Sequence, residues 1–220
     1  MKQIQFKAII FDMDGLLVDS EPVWSIAERS LVEKFGGNYD PEIQKQFIGQ
    51  GTHTFVDSMR QAYGLSCSAE ELFETLVQSM VDTYAQQMLP RPGAVEMVDY
   101  VVTNNMPRAL ASSSPRAVVD AIVISQGWGE IIASRLGGNQ VKHAKPAPDL
   151  YLKAAEMIGV PPHLCLALED SPTGARAAIA AGMVCYAVPD PYHTSASAFE
   201  GITPYVFDSL HDVRRTLELG

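Results

Sequence analysis

The stretch "KAIIFDMDGLLVDSEP", Lys7–Pro22, runs four apolar residues into two aspartates and a glycine, then adds two more acids within seven positions. Its front half, "AIIF" (Ala8–Phe11), has no polar side to turn to solvent, so it reads as a strand covered on both faces. Its back half places Asp12, Asp14, Asp19 and Glu21 where that strand ends, in a chain whose net charge is already -10. In a parallel sheet, ligands bind beyond the carboxyl ends of the strands. The crowding of acids there is the feature to be explained.

Further along, "RALAS" (108–112), "LCLALED" (164–170) and "VCYAV" (184–188) repeat the short apolar run, and "YVF" (205–207) is a candidate fifth. Between them lie helix patterns: "GAVEMVDYVVTN", "PRAVVDAIVISQG", "PAPDLYLKAAEMIG" and "PTGARAAIAAG". Several are opened by Pro and closed by Gly, the usual asymmetry of helix ends. Strands alternating with helices predict an α/β fold with a parallel, Rossmann-like sheet. Residues 17–89 break the rhythm, because "PVWSIAERSLVEKFGG", "DPEIQKQFIG", "THTFVDSMRQAYG" and "SAEELFETLVQSMVDTYAQQM" all read as helices. The expected organisation is a core of 1–16 and 90–220 with an all-helical insert at 17–89.

Composition narrows the function. With 47% hydrophobic and 19% charged residues the 220-residue chain is a folding globular sequence. An acidic balance, pI about 4.9, speaks against a nucleic-acid partner, since phosphate backbones require a basic face. Cys67, Cys165 and Cys185 are too scattered for a disulfide framework or a zinc cluster and read as buried thiols. No run approaches the ~20 apolar residues of a membrane span and none reads as a signal peptide, so the expectation is a cytoplasmic monomer without a membrane partner.

Two residues apart in an extended segment, Asp12 and Asp14 point the same way and repel. One resolution is a hard divalent cation with oxygen ligands, Mg²⁺ above all, its shell completed by Glu169 and Asp170 from the end of another strand. The other is a turn capped with Gly15. Asp-x-Asp-Gly by itself does not choose between them.

Its partners do. Asp12-x-Asp14, then Ser112, then Lys145 in "KPAPD", then Glu169-Asp170 in "LEDSPTG" together resemble, in order, the motifs of the haloacid dehalogenase superfamily. The resemblance covers nearly the whole chain, and the insert occupies the cap position of the subgroup holding β-phosphoglucomutase and small sugar phosphatases. It implies a hydrolase of small phosphorylated substrates. Asp12 is similar to that family's nucleophile, which forms an aspartyl-phosphate, and Asp14 to its general acid and base. The resemblance further implies that Ser112 binds the phosphoryl group, Ser113 contributes beside it, and Lys145 neutralises its charge. Mg²⁺ would be held by Asp12, Asp170, the backbone carbonyl of Asp14, and Glu169 directly or through water.

In the insert, "IGQGTHTF" (48–55) places Thr52 and His53 either at the mouth of the site, as binders of sugar hydroxyls, or in a plain glycine-rich turn. Asp19 and Glu21 read first as loop and cap residues. Where the mutases of the subgroup carry a proton-shuttling histidine, this chain has Trp24, which favours hydrolysis over mutase chemistry. Trp24 would otherwise stack on a sugar or fill the insert's core. His143, His163, His193 and His211 show no ligand spacing and read as ordinary surface or packing residues.

Overall fold

The computed structural model describes residues 6–47 and 52–219, with the side chains at 44, 45, 52 and 53 outside that description. In chain order the elements begin with β1 (Ala8–Phe11), β2 (Val18–Asp19), α1 (Glu21–Lys34), α2 (Pro41–Gln44), α3 (Thr52–Ala62) and α4 (Ala69–Ser79). Then follow β3 (Leu89–Pro90), α5 (Ala94–Thr103), β4 (Arg108–Ala111), α6 (Arg116–Ser125), β5 (Arg135–Leu136) and α7 (Asp149–Met157). The chain closes with β6 (Cys165–Glu169), α8 (Pro172–Ala180), β7 (Val184–Ala187) and α9 (Leu210–Leu219).

Five strands form one sheet in the order β5-β4-β1-β6-β7, and every pairing is parallel. The strand that opens the chain therefore lies at its centre. Alternation along β1 assigns Ile9 and Phe11 to one apolar core and Ala8 and Ile10 to the other. The second core is dominated by alanine: Ala109, Ala111 and Ala167 on the strands meet Ala154, Ala175 and Ala178 on α7 and α8. Small side chains let those helices lie close to the sheet. The opposite face is built from larger groups, among them Leu110, Leu168, Val119 and Ile122.

The expected "YVF" strand is corrected: only Val206 makes a bridge, to Ala187. The fifth strand is instead β5, a two-residue edge strand whose Leu136 pairs with Ala111. The helical reading of 68–88 also needs amending. α4 stops at Ser79, and a π turn (Met80–Tyr84) and a 3₁₀ turn (Ala85–Gln87) carry the chain on. Side chains at the end of α6 and just after it bond the carbonyls there, Ser125 Oγ to Ala85 (3.1 Å) and Gln126 Nε2 to Met88 (2.8 Å).

The outgoing and returning crossings of the helical segment are stitched together. β2 pairs antiparallel with β3, Val18 opposite Pro90 and Asp19 opposite Leu89. Asp19 faces Arg91 at 3.9 Å, which supports the structural reading of that acid. Gly15 makes the tight turn that leads there: its φ is +77°, and a Cβ would stand 2.3 Å from an Asp170 carboxylate oxygen. Among the described residues no helix is long and apolar enough to cross a membrane. Cys165 and Cys185 are buried as expected, and Cys67 is only half-buried.

Candidate active site

The carboxyl ends of β1, β4 and β6 meet in a cleft of about 660 Å³ whose other wall comes from α1 and the residues after it, including Trp24, Tyr39 and Phe55. Asp12 follows β1 directly, and its amide bonds the Leu168 carbonyl at 3.0 Å, so sheet pairing continues one residue past the strand and fixes the Asp12 backbone. Lys145 comes from 133 residues away in sequence to reach the Asp12 carboxylate at 2.5 Å. It also reaches Glu169 Oε1 at 2.6 Å.

Glu169 is wholly buried, and donors surround it. Tyr151 Oη, from α7, donates to Oε1 at 2.7 Å. The amides of Asp170 and Ser171 and the Ser171 hydroxyl all donate to Oε2. Space for this carboxylate exists because residue 174 is glycine: a Cβ there would lie 1.8 Å from Glu169 Oε1. Oxygens of Asp12, Glu169 and Asp170 lie within 4.8 Å of one another. Among the described residues, no donor side chain or amide bonds the Asp170 carboxylate.

Asp14 takes a different route from Asp12. One carboxylate oxygen accepts from the Trp24 indole Nε1 at 3.0 Å, and the other from Ser112 Oγ (3.1 Å) and Ser114 Oγ (2.8 Å). Ser112 also accepts from the Ser114 amide at 3.0 Å, which orders the loop after β4. Ser113 lines the cleft. Ile48–Gly51 and the side chains of Thr52 and His53 lie outside the described residues.

Charge in the cleft is unbalanced. Asp12, Glu169, Asp170 and Asp190 are all buried, and Lys145 is the cation set among them. Burial, reinforced by Glu169 and Asp14, pushes the Asp12 carboxyl up to about 8 despite Lys145. Burial, with Asp12 and Glu169, also holds Asp170 well above the usual carboxylate range. For Glu169 the burial penalty is overcome by the Lys145 charge and the bonds from Lys145, Tyr151 and Ser171, and its carboxyl is lowered. Burial alone would depress Lys145, but Asp12 and Glu169 outweigh it and raise the ammonium above the ordinary lysine range.

These residues fit a hard divalent cation. Three buried carboxylates converge, two of them electrostatically strained in the ionised form, and one lacks a protein donor among the described residues. A bound cation reverses such shifts by supplying the missing positive charge. An all-oxygen donor set that leaves room for water and phosphate suits Mg²⁺.

Ser114 reads in the sequence either as a phosphate contact beside Ser113 or as the start of the helix at Pro115, and the structure turns its hydroxyl to Asp14 instead. Three contributors escape a reading of the sequence. Tyr151 is hidden within an ordinary amphipathic helix pattern. Asp190, buried and lining the cleft, follows the strand end that carries least functional chemistry. His193 lines the cleft too; it is exposed, in keeping with the surface or packing reading, and its Nε2 stands 2.7 Å from Glu21 Oε2, which ties the loop after β7 to the start of α1.

Residues 6–182 match the family model for haloacid dehalogenase-like hydrolase. The "Probable pseudouridine-5'-phosphatase" of Drosophila melanogaster is 34% identical over 188 residues, covering 83% of this chain and 81% of that protein. Hexitol phosphatase B of Escherichia coli is 30% identical over 190 residues, 85% of each chain. Among solved structures, CbbY from Rhodobacter sphaeroides in complex with phosphate superposes with a TM-score of 0.82 at 25% identity, covering 95% of this chain and 96% of that one. The order of strand-end motifs, the parallel sheet beneath them and these likenesses agree, and the chain belongs to the haloacid dehalogenase-like hydrolases.

Proposed function

We propose that the protein is an Mg²⁺-dependent phosphatase of small phosphorylated metabolites, sugar phosphates foremost, working through an aspartyl-phosphate on Asp12. The observation that carries this reading is the convergence of Asp12, Asp14 and Lys145 on one cleft, with Lys145 bonded to Asp12. The names of the relatives support the substrate class, since they are phosphatases of small phosphorylated compounds.

In the first half-reaction an Asp12 oxygen attacks phosphorus, the bond from phosphorus to the ester oxygen breaks, and Asp14 gives its proton to the departing alcohol. In the second, Asp14 takes a proton from water, the water oxygen attacks phosphorus, and Asp12 leaves with its carboxylate restored. Like charges meet when a carboxylate approaches a phosphate dianion, so positive charge has to stand ready beforehand. Lys145 provides it from a fixed position. Mg²⁺ held by Asp12, Glu169 and Asp170, with the Asp14 backbone carbonyl, would add the remaining neutralisation. Ser112 and Ser113 would turn to the phosphoryl oxygens once substrate arrives.

In this reading residues 17–89 act as a cap on a core formed by 1–16 and 90–220. The cap shields the reaction from bulk water and supplies Trp24, Tyr39 and Phe55 to the alcohol half of the substrate. The Trp24 indole is a donor only and cannot accept a proton from a sugar hydroxyl, which disfavours a mutase. Hydrolysis of hexose phosphates with Mg²⁺ and with EDTA, followed by phosphorus NMR, tests all of this together. Inorganic phosphate formed only with Mg²⁺, and none formed by Asp12→Asn, is the expected result. Equal turnover in EDTA removes the metal, and a phosphosugar isomer as the product removes hydrolysis.

A further inference from the structure

Trp24 lies on α1, in the helical segment, yet its indole nitrogen stands 3.0 Å from a carboxylate oxygen of Asp14, on the loop after β1. The ring is half-buried, packs against the larger apolar core and lines the cleft. A filler side chain needs none of this polar geometry. Asp14 receives its other two bonds from Ser112 and Ser114 on a single oxygen, so these come from one side. The indole takes the remaining oxygen. A carboxylate gripped through one oxygen still pivots about that contact, and a donor on the second oxygen stops the rotation.

We propose that Trp24 is a positioning residue for proton donation: its N–H fixes the orientation of the Asp14 carboxyl toward the ester oxygen, and because the donor belongs to the helical segment, that orientation is set only while the segment is docked. The proposal rests on the reading of Asp14 as the acid. It goes further in making a residue outside the core part of the protonation step. Ser114, on the loop after β4, holds Asp14 irrespective of where the helices lie, also once Ser112 has turned to substrate. Trp24 makes the acid responsive to those helices.

The test exploits the leaving group. In a two-step covalent reaction kcat/KM reports only events up to departure of the alcohol, and p-nitrophenolate departs without a proton whereas a hexose alkoxide needs one. Trp24→Phe keeps an aromatic body and deletes the N–H. We expect kcat/KM for a hexose 6-phosphate to fall by about 10- to 100-fold more than kcat/KM for p-nitrophenyl phosphate, the penalty typical of a misplaced catalytic group. Asp14→Ala serves as the reference. If it loses both substrates equally, the acid assignment itself falls. If Asp14→Ala separates the substrates and Trp24→Phe loses both equally, or neither, only the role of Trp24 falls.

A second measurement does not depend on how well Trp24→Phe folds. The chain has two tryptophans, and ¹⁵N-labelled protein therefore gives two indole N–H signals. Asp14→Ala removes the acceptor, so we expect one of the two to move and to lose its protection from solvent exchange. Two unmoved signals would overturn the contact and the proposal with it.

Discussion

At the scale of single residues, the site is built as much from what is missing as from what is present. Glu169 fits only because residue 174 has no side chain, and the helix that carries Gly174 opens with the Ser171 hydroxyl bonded to both the Gly174 amide and Glu169. Gly174→Ala forces a methyl group onto a buried carboxylate. It should destabilise the fold by about 2 kcal/mol or more, the range for overpacking a tight interior, seen as a lowered melting temperature. Tyr151→Phe removes one of the bonds to Glu169 and should cost about 1.5–3 kcal/mol, as expected for a buried bond to a charged acceptor. Because that bond steadies a carboxylate of the cation cluster, the same variant should also need more Mg²⁺ for half-maximal rate. The fold brings together Asp12, Asp14, Ser112, Lys145, Glu169 and Asp170, which the order of their motifs had singled out by resemblance, Lys145 through "KPAPD" and the others at strand ends. Tyr151 and Gly174 were not singled out, because their function lies in packing against Glu169, which only the folded chain brings near them.

Elements show the same division. β1, β4, β6 and β7 stand out as apolar runs because both their faces are covered. β5 does not, because two residues carry no period and one of them is Arg135. Its place is secured from outside: Asp120 on α6 receives Arg135 Nε at 2.5 Å and Arg116 Nε at 2.9 Å, tying helix and edge strand together. Although partial burial opposes it, the two guanidinium bonds hold the Asp120 carboxyl below the usual range. A carboxyl lowered in the folded state contributes stability above the unfolded pKa, about 3.9, and the contribution vanishes as pH falls through the folded value. Asp120→Asn should thus be less stable than the parent by roughly 0.5–1 kcal/mol at neutral pH, a range that allows for solvent screening of a part-exposed group. Denaturant melts of the two proteins should converge as the pH is taken below that range. The break after Ser79 escaped the sequence because the pattern of 68–88 stays helical throughout, while the Ser125 and Gln126 bonds that hold its end come from the C-terminal end of α6 and the residue after it.

For the whole molecule, a chain of net charge -10 gathers several of its acids around one cleft and places Lys145 among them. That arrangement is poorly compensated without a cation, so Mg²⁺ should bind the folded protein and raise its melting temperature. At one hundred times the dissociation constant the gain is about 2.7 kcal/mol by mass action, and EDTA should abolish it. Asp12→Asn should show a smaller rise, having lost one of the three converging carboxylates. The parallel sheet and the run of helices between β2 and β3 were both readable from the order of patterns. How those helices lie against the sheet was not, since it depends on contacts such as Trp24 with Asp14 and His193 with Glu21, pairs drawn from separate segments.

The central claim is that Asp12 carries the phosphoryl group covalently. Acid-quenching the enzyme during turnover of a sugar phosphate with Mg²⁺, then digesting it for mass spectrometry, asks this directly. One phosphoryl group on the peptide containing Asp12, absent from Asp12→Asn, is the predicted result. Turnover with that peptide unmodified, or with the phosphoryl group on another residue, would contradict it.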